Sequence, residues 1–326
     1  MRALLCRQWG PPEDLAVTEL PEPVPGEQQV LLEVRAAAVN FPDTLIIQNK
    51  YQFKPQLPFA PGGECAGVVK ALGPAVSNIK VGDAVIAFTG WGAMTEQLLV
   101  DARQLIALPD GLDFTTASAF VMTYATSYHA LKDRCALLGG ETLLVLGASG
   151  GVGLAAIEIG KLLGARVIAA ASSAKKLDIC KAHGADELIN YSDEDLRDRI
   201  KALTGGKGVD VVYDPVGGSS TETALRSIAW RGRLAVVGFA NGSIPALPAN
   251  LALLKGASIV GVFWGDYAKR EPANNAKDLR TLFGWLMQGK LKPHIYATYP
   301  LDQGGTAIRA LMDRGVSGKL VVLPQE

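Results

Sequence analysis

The chain has 326 residues, with 32 Lys and Arg against 32 Asp and Glu and a formal net charge of zero. That length predicts two domains, each able to bury its own core, and the balance of charge weighs against nucleic acid or an anionic membrane surface as a partner. The four cysteines, Cys6, Cys65, Cys135 and Cys180, are far apart in sequence. Their spacing suggests neither a disulfide framework nor a zinc ribbon and fits reduced thiols in the cytoplasm. The opening apolar run at 3–6 is ended by Arg7, too short for a signal peptide. The longest uncharged window, 234–254, contains Asn241, Pro245, Pro248 and Asn250, which reads as strand plus loop and not as a membrane span.

Taken in order, residues 1–122 read as β-rich: short apolar segments at 2–6, 30–38, 66–72 and 84–88 are separated by turn residues such as Pro23, Pro25, Gly26, Gly73, Pro74 and Gly82. A compact, partly closed barrel is expected there. Around 113–138 the pattern becomes helical, with Ala117, Phe120, Val121, Tyr124 and Tyr128 on one face. An apolar run at 143–146 then breaks into Gly147-Ala148-Ser149-Gly150-Gly151-Val152-Gly153, and apolar residues resume at helical spacing: Val152, Ala155, Ala156, Ile159 and Leu163. A second apolar run at 166–171 completes a βαβ unit. Beyond it, strands at 187–191, 209–213, 233–237 and 258–263 alternate with helices at 174–183, 193–203 and 221–228, which predicts a doubly wound parallel sheet. Helices at 278–288 and 307–314 and a strand at 319–323 are expected to return to the first domain.

The glycine turn carries the chemistry. In a strand–turn–helix setting, Gly150 lets the backbone approach a pyrophosphate, Gly153 lets helix and strand pack closely, and the helix N-terminus presents amides to the anion. The bland alternative is a tight strand-to-helix turn. An NAD site places Asp or Glu about twenty residues on, at the end of the second strand, to bind the ribose 2′-hydroxyl. Here Ser172 and Ser173 stand there, followed by Lys175 and Lys176. Hydroxyls and cations suit a 2′-phosphate, so NADPH is the expected cofactor. The alternative for the lysines, a solvated helix start, carries a small dipole penalty.

The barrel-like first part, the GASGGVG turn, DVVYDPVGG at 210–218 and SGKLVVLP at 317–324 together resemble the medium-chain dehydrogenase/reductase superfamily. Within it, Val39-Asn40-Phe41-Pro42-Asp43, Leu57-Pro58-Phe59, Pro61-Gly62-Gly63-Glu64 and Ile189-Asn190-Tyr191 resemble the zeta-crystallin-like quinone oxidoreductases. The resemblance covers essentially the whole chain. It implies an α/β architecture: a GroES-like β-barrel catalytic domain from 1–122 and 267–326, a Rossmann-type domain at 123–266, and a cofactor in the cleft. It also implies positions. Asn40 and Thr126 would lie near the nicotinamide, Ser149, Gly150, Gly151 and Val152 at the pyrophosphate, and Ser172, Lys176, Tyr191 and Arg314 around the adenosine and its 2′-phosphate. The backbone around Phe239 and Phe263 would line the nicotinamide pocket, Tyr51 would face the substrate, and a homodimer would form by edge pairing through 258–263.

Zinc-dependent alcohol dehydrogenases of the same superfamily hold their metal through a Cys and a His where this chain carries Asn40 and Gly63, so no metal is expected. An acceptor that needs no Lewis acid must carry the hydride's charge itself. A quinone does so as a hydroquinone anion, which makes an NADPH-dependent quinone reductase the leading expectation. An enone, alkenal or enoyl thioester does so as an enolate, which is the alternative. Tyr51 is the candidate donor or orienting group, with Asn40 and Asp43 shaping the pocket. Each also has a plain structural reading: Asn40 as a turn residue, Asp43 as a cap, Tyr51 as a packing aromatic. A nucleotide-binding module without turnover is a third reading.

Overall fold

The structure, a computed structural model, describes residues 1–326. The chain divides into two units, one made of Met1–Met122 and Pro293–Glu326 and the other of Thr123–Lys292.

The second unit is organised by a parallel sheet. Its strands, in chain order, are Thr142–Val145, Arg166–Ala171, Glu187–Asn190, Val209–Asp214, Ile228–Val236 and Ser258–Gly261. In space the third lies at one edge, then the second, the first, the fourth, the fifth and the sixth, every pairing parallel. This is the doubly wound order, and the sequence of strand pairing reverses between the first and fourth strands. The ends of those two strands lead into Gly147 and Asp214 respectively. The central strands are apolar on both faces because helices cover both, and Leu143, Leu144, Val145, Val167, Ile168, Val211 and Val212 are all buried.

The helix after the glycine turn, Gly151–Leu162, is buried almost all round, from Gly153 to Gly160. Its close approach to the sheet explains its small residues. A Cβ on Gly153 would stand 2.6 Å from the carbonyl oxygens of both Gly147 and Ala148, and one on Gly160 would meet Leu143 at 2.7 Å. Gly147, where the expected pattern has only the residue before Ala148, carries the turn's left-handed backbone with φ of 57°.

The first unit is built on seven strands. Gln29–Val39 and Glu64–Leu72 form its centre, running antiparallel; Ala84–Phe88 and Leu105–Ala107 continue on one side, and Lys319–Leu323 and Ile295–Pro300 on the other, with Gln97–Asp101 also pairing with Gln29–Val39. The order is open at Ile295–Pro300 and Leu105–Ala107, where a partly closed barrel is the expectation from sequence. The C-terminal strand thus lies beside the strand that ends at Val39, with Leu320 opposite Val39.

One boundary differs from the sequence reading. The segment 267–292 belongs with the Rossmann-type unit, not with the unit of Met1–Met122 and Pro293–Glu326. The helix Pro272–Met287 is tied there by side chains: Trp264 donates its indole N–H to Asn275 at 2.9 Å, Tyr267 its hydroxyl to Asp278 at 2.8 Å, and Trp285 packs edge-on against Tyr128. Smaller differences are in ends: the helical stretch at 113–138 resolves into Phe114–Ser118, Val121–Tyr128 and a wider-wound turn His129–Arg134.

Gly153 sets a test of this packing. Gly153→Ala would raise helix propensity by about 1 kcal/mol, yet its Cβ meets two backbone carbonyls that cannot swing aside. The variant is expected to be less stable by about 1–3 kcal/mol, seen as a lower thermal midpoint; an unchanged or higher midpoint would contradict the close approach.

Candidate functional site

Each unit carries part of the expected site. In the Rossmann-type unit the turn between the first strand and its helix runs from Gly147 to Gly150, and Gly150 N donates to Gly147 O at 3.0 Å. Gly150 is the helix N-cap in extended conformation and has no side chain to cap the first turn. The amides of Gly151, Val152 and Gly153 therefore lack an intrahelical acceptor and stand at the positive end of a twelve-residue helix. Ser149 is buried in the turn beside them. A bulkier residue at Gly147 would strike Val216, its Cβ coming within 2.7 Å of Cγ2. The turn is thus a cradle kept open by the absence of side chains, and it fits a pyrophosphate.

At the end of the second strand the structure brings Ser172, Lys176 and Tyr191 together. Lys176 Nζ donates to Ser172 Oγ at 3.3 Å, Ser192 Oγ donates to Ser172 O at 3.0 Å, and Tyr191 N donates to Ala171 O at 3.2 Å. Ser173 caps the helix Ala174–Ala182, its Oγ accepting from Lys176 N at 3.4 Å. The carboxylates just after Tyr191 fold back on Asn190, Glu194 accepting from its backbone N–H at 3.0 Å and Asp193 from its side-chain amide at 2.5 Å. Burial lowers the Lys176 pKa.

Asp214 shapes the loop after the fourth strand. Its Oδ1 accepts from Val216 N at 2.8 Å and Gly217 N at 3.0 Å, and its Oδ2 from Thr221 Oγ1 at 2.5 Å. Gly217 and Gly218 have positive φ, and a Cβ on Gly217 would meet Phe239 at 2.9 Å. Phe239 is half-buried there, Phe263 is 44% exposed just beyond the sixth strand, and Thr126 is half-buried on Val121–Tyr128.

The other unit holds Asn40, Asp43, Tyr51 and Arg314. Asn40 opens the short helix Phe41–Ile46 and Asp43 caps it, accepting from Asn40 N at 2.7 Å and Gly62 N at 2.9 Å. The plain reading of Asp43 as a cap is therefore correct. Burial pushes its carboxyl up to about 6, against those two hydrogen bonds and the charge of Lys319, which lower it. Tyr51 is half-buried and packs edge-on to Phe53, with ring centroids 5.8 Å apart; burial, and after it the charge of Asp43, raises its phenol pKa. Arg314 follows the helix Gly304–Met312 with a left-handed φ of 58°.

Two residues that the sequence reading did not single out as functional dominate this unit's polar interior. Glu64 and Lys319 are buried, and their side chains meet Asn40: Asn40 Nδ2 donates to Glu64 Oε1 at 3.0 Å, and Lys319 Nζ donates to Asn40 Oδ1 at 2.5 Å and to Glu64 Oε1 at 3.3 Å. This donor set does not fit zinc. No group of three or more His, Cys, Asp or Glu side chains is placed to hold a metal ion, and an ammonium already occupies the Asn40 oxygen.

Residues 26–110 match the family described as Alcohol dehydrogenase GroES-like domain, and residues 151–280 the family described as Zinc-binding dehydrogenase. Quinone oxidoreductase-like protein 2 of Rattus norvegicus is 38% identical over 98% of this chain and 91% of its own length. Quinone oxidoreductase of Pseudomonas aeruginosa is 38% identical over 97% of each chain. The structure of Escherichia coli quinone oxidoreductase complexed with NADPH superposes with a TM-score of 0.94 at 30% identity, covering 99% of this chain and 100% of that one. Glycine turn, paired units and whole-length identity agree, and the chain belongs to the quinone oxidoreductase-like branch of the medium-chain dehydrogenase/reductase superfamily.

Proposed function

We propose that this chain is an NADPH-dependent oxidoreductase that delivers a hydride to a quinone without a metal. The observation that carries the reading is the Ser172–Lys176 pair at the end of the second strand, where a carboxylate would select NAD. A 2′-phosphate would favour the ammonium form that burial disfavours at Lys176, and Tyr191 and Arg314 are assigned to the adenosine. Ser149, Gly150, Gly151 and Val152 would hold the pyrophosphate at the helix N-terminus. The E. coli relative that binds NADPH supports the same cofactor.

When bound, the nicotinamide supplies the hydride. The hydride brings the acceptor two electrons and one proton, so a quinone becomes a hydroquinone anion, which takes a second proton from solvent to leave as the hydroquinone. Tyr51 is suited to donate a hydrogen bond to the acceptor oxygen, because burial and Asp43 keep its phenol protonated in neutral solution. Asn40, Thr126 and the backbone around Phe239 and Phe263 are assigned to the nicotinamide. A protonated phenol would equally stabilise an enolate, and this favours one second reading, reduction of an enone, alkenal or enoyl thioester. The four free cysteines, all buried, fit a reducing compartment such as the cytoplasm, and no helix is long and apolar enough to cross a membrane.

A homodimer is also proposed. The edge strand Ser258–Gly261 pairs on one side only within the sheet. Ile259 on it is 44% exposed, and Trp230, on the adjoining strand, is 71% exposed. An edge of this kind is completed by the same edge of a second copy about a two-fold axis. Light scattering should give twice 34.4 kDa, and Ile259→Lys should shift the mass towards a single chain; a wild-type monomer at micromolar concentration would reject the pairing.

Turnover provides the main test. NADPH oxidation should proceed with ortho- and para-quinones and be unchanged by a metal chelator. Absence of turnover with every quinone would sink the leading reading, and a much higher kcat/KM for an enone or acyl thioester would transfer it to the alkene reductases. Lys176→Glu should weaken NADPH binding roughly 10- to 100-fold, as loss of a charge-assisted hydrogen bond implies, with little effect on NADH. Equal losses for the two cofactors would contradict the 2′-phosphate assignment.

A further inference from the structure

The polar interior of the first unit is assembled from segments far apart in sequence. Asn40 follows the strand Gln29–Val39, Glu64 opens Glu64–Leu72, and Lys319 opens Lys319–Leu323, 279 residues from Asn40. Lys319 is only 5% exposed and Glu64 is 0% exposed. The three ammonium protons have three acceptors: Val39 O at 3.0 Å, Asn40 Oδ1 at 2.5 Å and Glu64 Oε1 at 3.3 Å. The second carboxylate oxygen of Glu64 accepts from Met122 N at 2.9 Å. The amide of Asn40 is equally committed, its Nδ2 donating to Glu64 Oε1 at 3.0 Å and to Ala38 O at 3.4 Å.

This arrangement fixes which way the Asn40 carboxamide points. A flip would set its NH2 against an ammonium and its oxygen against a carboxylate, turning two attractive contacts into two repulsive ones inside a dry interior. Both amide protons are used internally and Oδ1 accepts from Lys319 Nζ, so Asn40 has no donor left to turn outward. The amine beside that oxygen is covalently anchored; burial lowers its pKa, while the charges of Glu64 and Asp43 oppose that shift.

We infer that Lys319 is a positioning residue for hydride transfer: with Glu64 it locks the Asn40 carboxamide in one orientation. The inference rests on the proposed quinone reductase activity, and its test separates the two. Lys319 acts through Asn40 and is not assigned to substrate or cofactor.

The decisive comparison is among wild type, Lys319→Met and the double variant Glu64→Gln/Lys319→Met, all as the full chain. Lys319→Met leaves a buried carboxylate unpaired and should lower both thermal stability and kcat. The double variant removes both charges and should recover most of the lost stability. Its kcat should nevertheless stay roughly 10- to 100-fold below wild type, the scale of a misplaced reacting group, while KM for NADPH changes by less than about 2-fold, since a tenfold change alone would take about 1.4 kcal/mol. If the double variant recovers kcat along with stability, Lys319 only balances charge and the inference is overturned.

An acceptor-independent reading comes from the wild-type protein labelled with 15N at asparagine. The two Asn40 side-chain protons, assigned by their loss in Asn40→Ser, should be displaced from the shifts of a free asparagine amide and slow to exchange with solvent, and should lose both properties in the double variant. Signals at free-amide shifts that exchange fast with solvent in the wild type would also overturn the inference. Failure of the wild type to reduce any quinone would reject the proposed activity, and these signals would still decide whether Lys319 holds Asn40.

Discussion

The carboxylate of Glu64 is the contact on which the first unit's site depends. It accepts from the Asn40 amide, from the Lys319 ammonium and from the backbone N–H of Met122. One buried charge therefore joins the end of one strand, the start of the next, the C-terminal strand and the helix Val121–Tyr128. Such a charge is tolerable only while all its partners are in place, because an unpaired carboxylate in a dry interior is strongly destabilising. With Lys319, it contacts both ends of the Asn40 carboxamide, the amide that the family resemblance would place at the nicotinamide.

A second buried carboxylate does comparable work in the Rossmann-type unit. Glu158, on the helix that follows the glycine turn, accepts from Tyr124 Oη at 2.8 Å and from Lys292 N through both oxygens, and contacts His183 Nδ1 at 2.8 Å. Met122 is the last residue of the first unit before the chain enters the second, and Lys292 the last before it returns. Each passage has its backbone N–H anchored by a buried carboxylate, Glu64 at one and Glu158 at the other. The glycine turn depends on this same helix, since Gly153 can pack against the Gly147 and Ala148 carbonyls only while the helix keeps its depth.

The readable parts of the sequence were those governed by local rules. The strand–turn–helix at 142–162, the alternation of strands and helices beyond it, the cap at Asp43 and the juxtaposition of Ser172 with Lys176 all follow from spacing of a few residues. What was not legible depends on long-range packing. Glu64 appeared within a family motif and Lys319 within SGKLVVLP, yet nothing local joins residues 255 positions apart. Glu158 lies among apolar residues at helical spacing, and only the folded helix, buried nearly all round, shows that its charge is interior. The helix Pro272–Met287 shows the same limit: its periodicity reveals that one face is covered, but not that Trp264, Tyr267 and Tyr128 do the covering. Ser173 is legible only in part, because a hydroxyl at a helix start can serve as a cap, a phosphate ligand or both, and the folded chain shows the cap.

Hydride transfer from NADPH to a quinone without a metal is the step on which the proposed function stands. The most direct measurement is a single turnover of metal-free protein with stoichiometric NADPH carrying deuterium on the transferable face of nicotinamide C4, mixed rapidly with a para-quinone. The account predicts complete oxidation of the bound NADPH, two-electron formation of hydroquinone, and a slower transient for the deuterated cofactor. No oxidation in the transient, or oxidation that appears only after zinc is added, would contradict it.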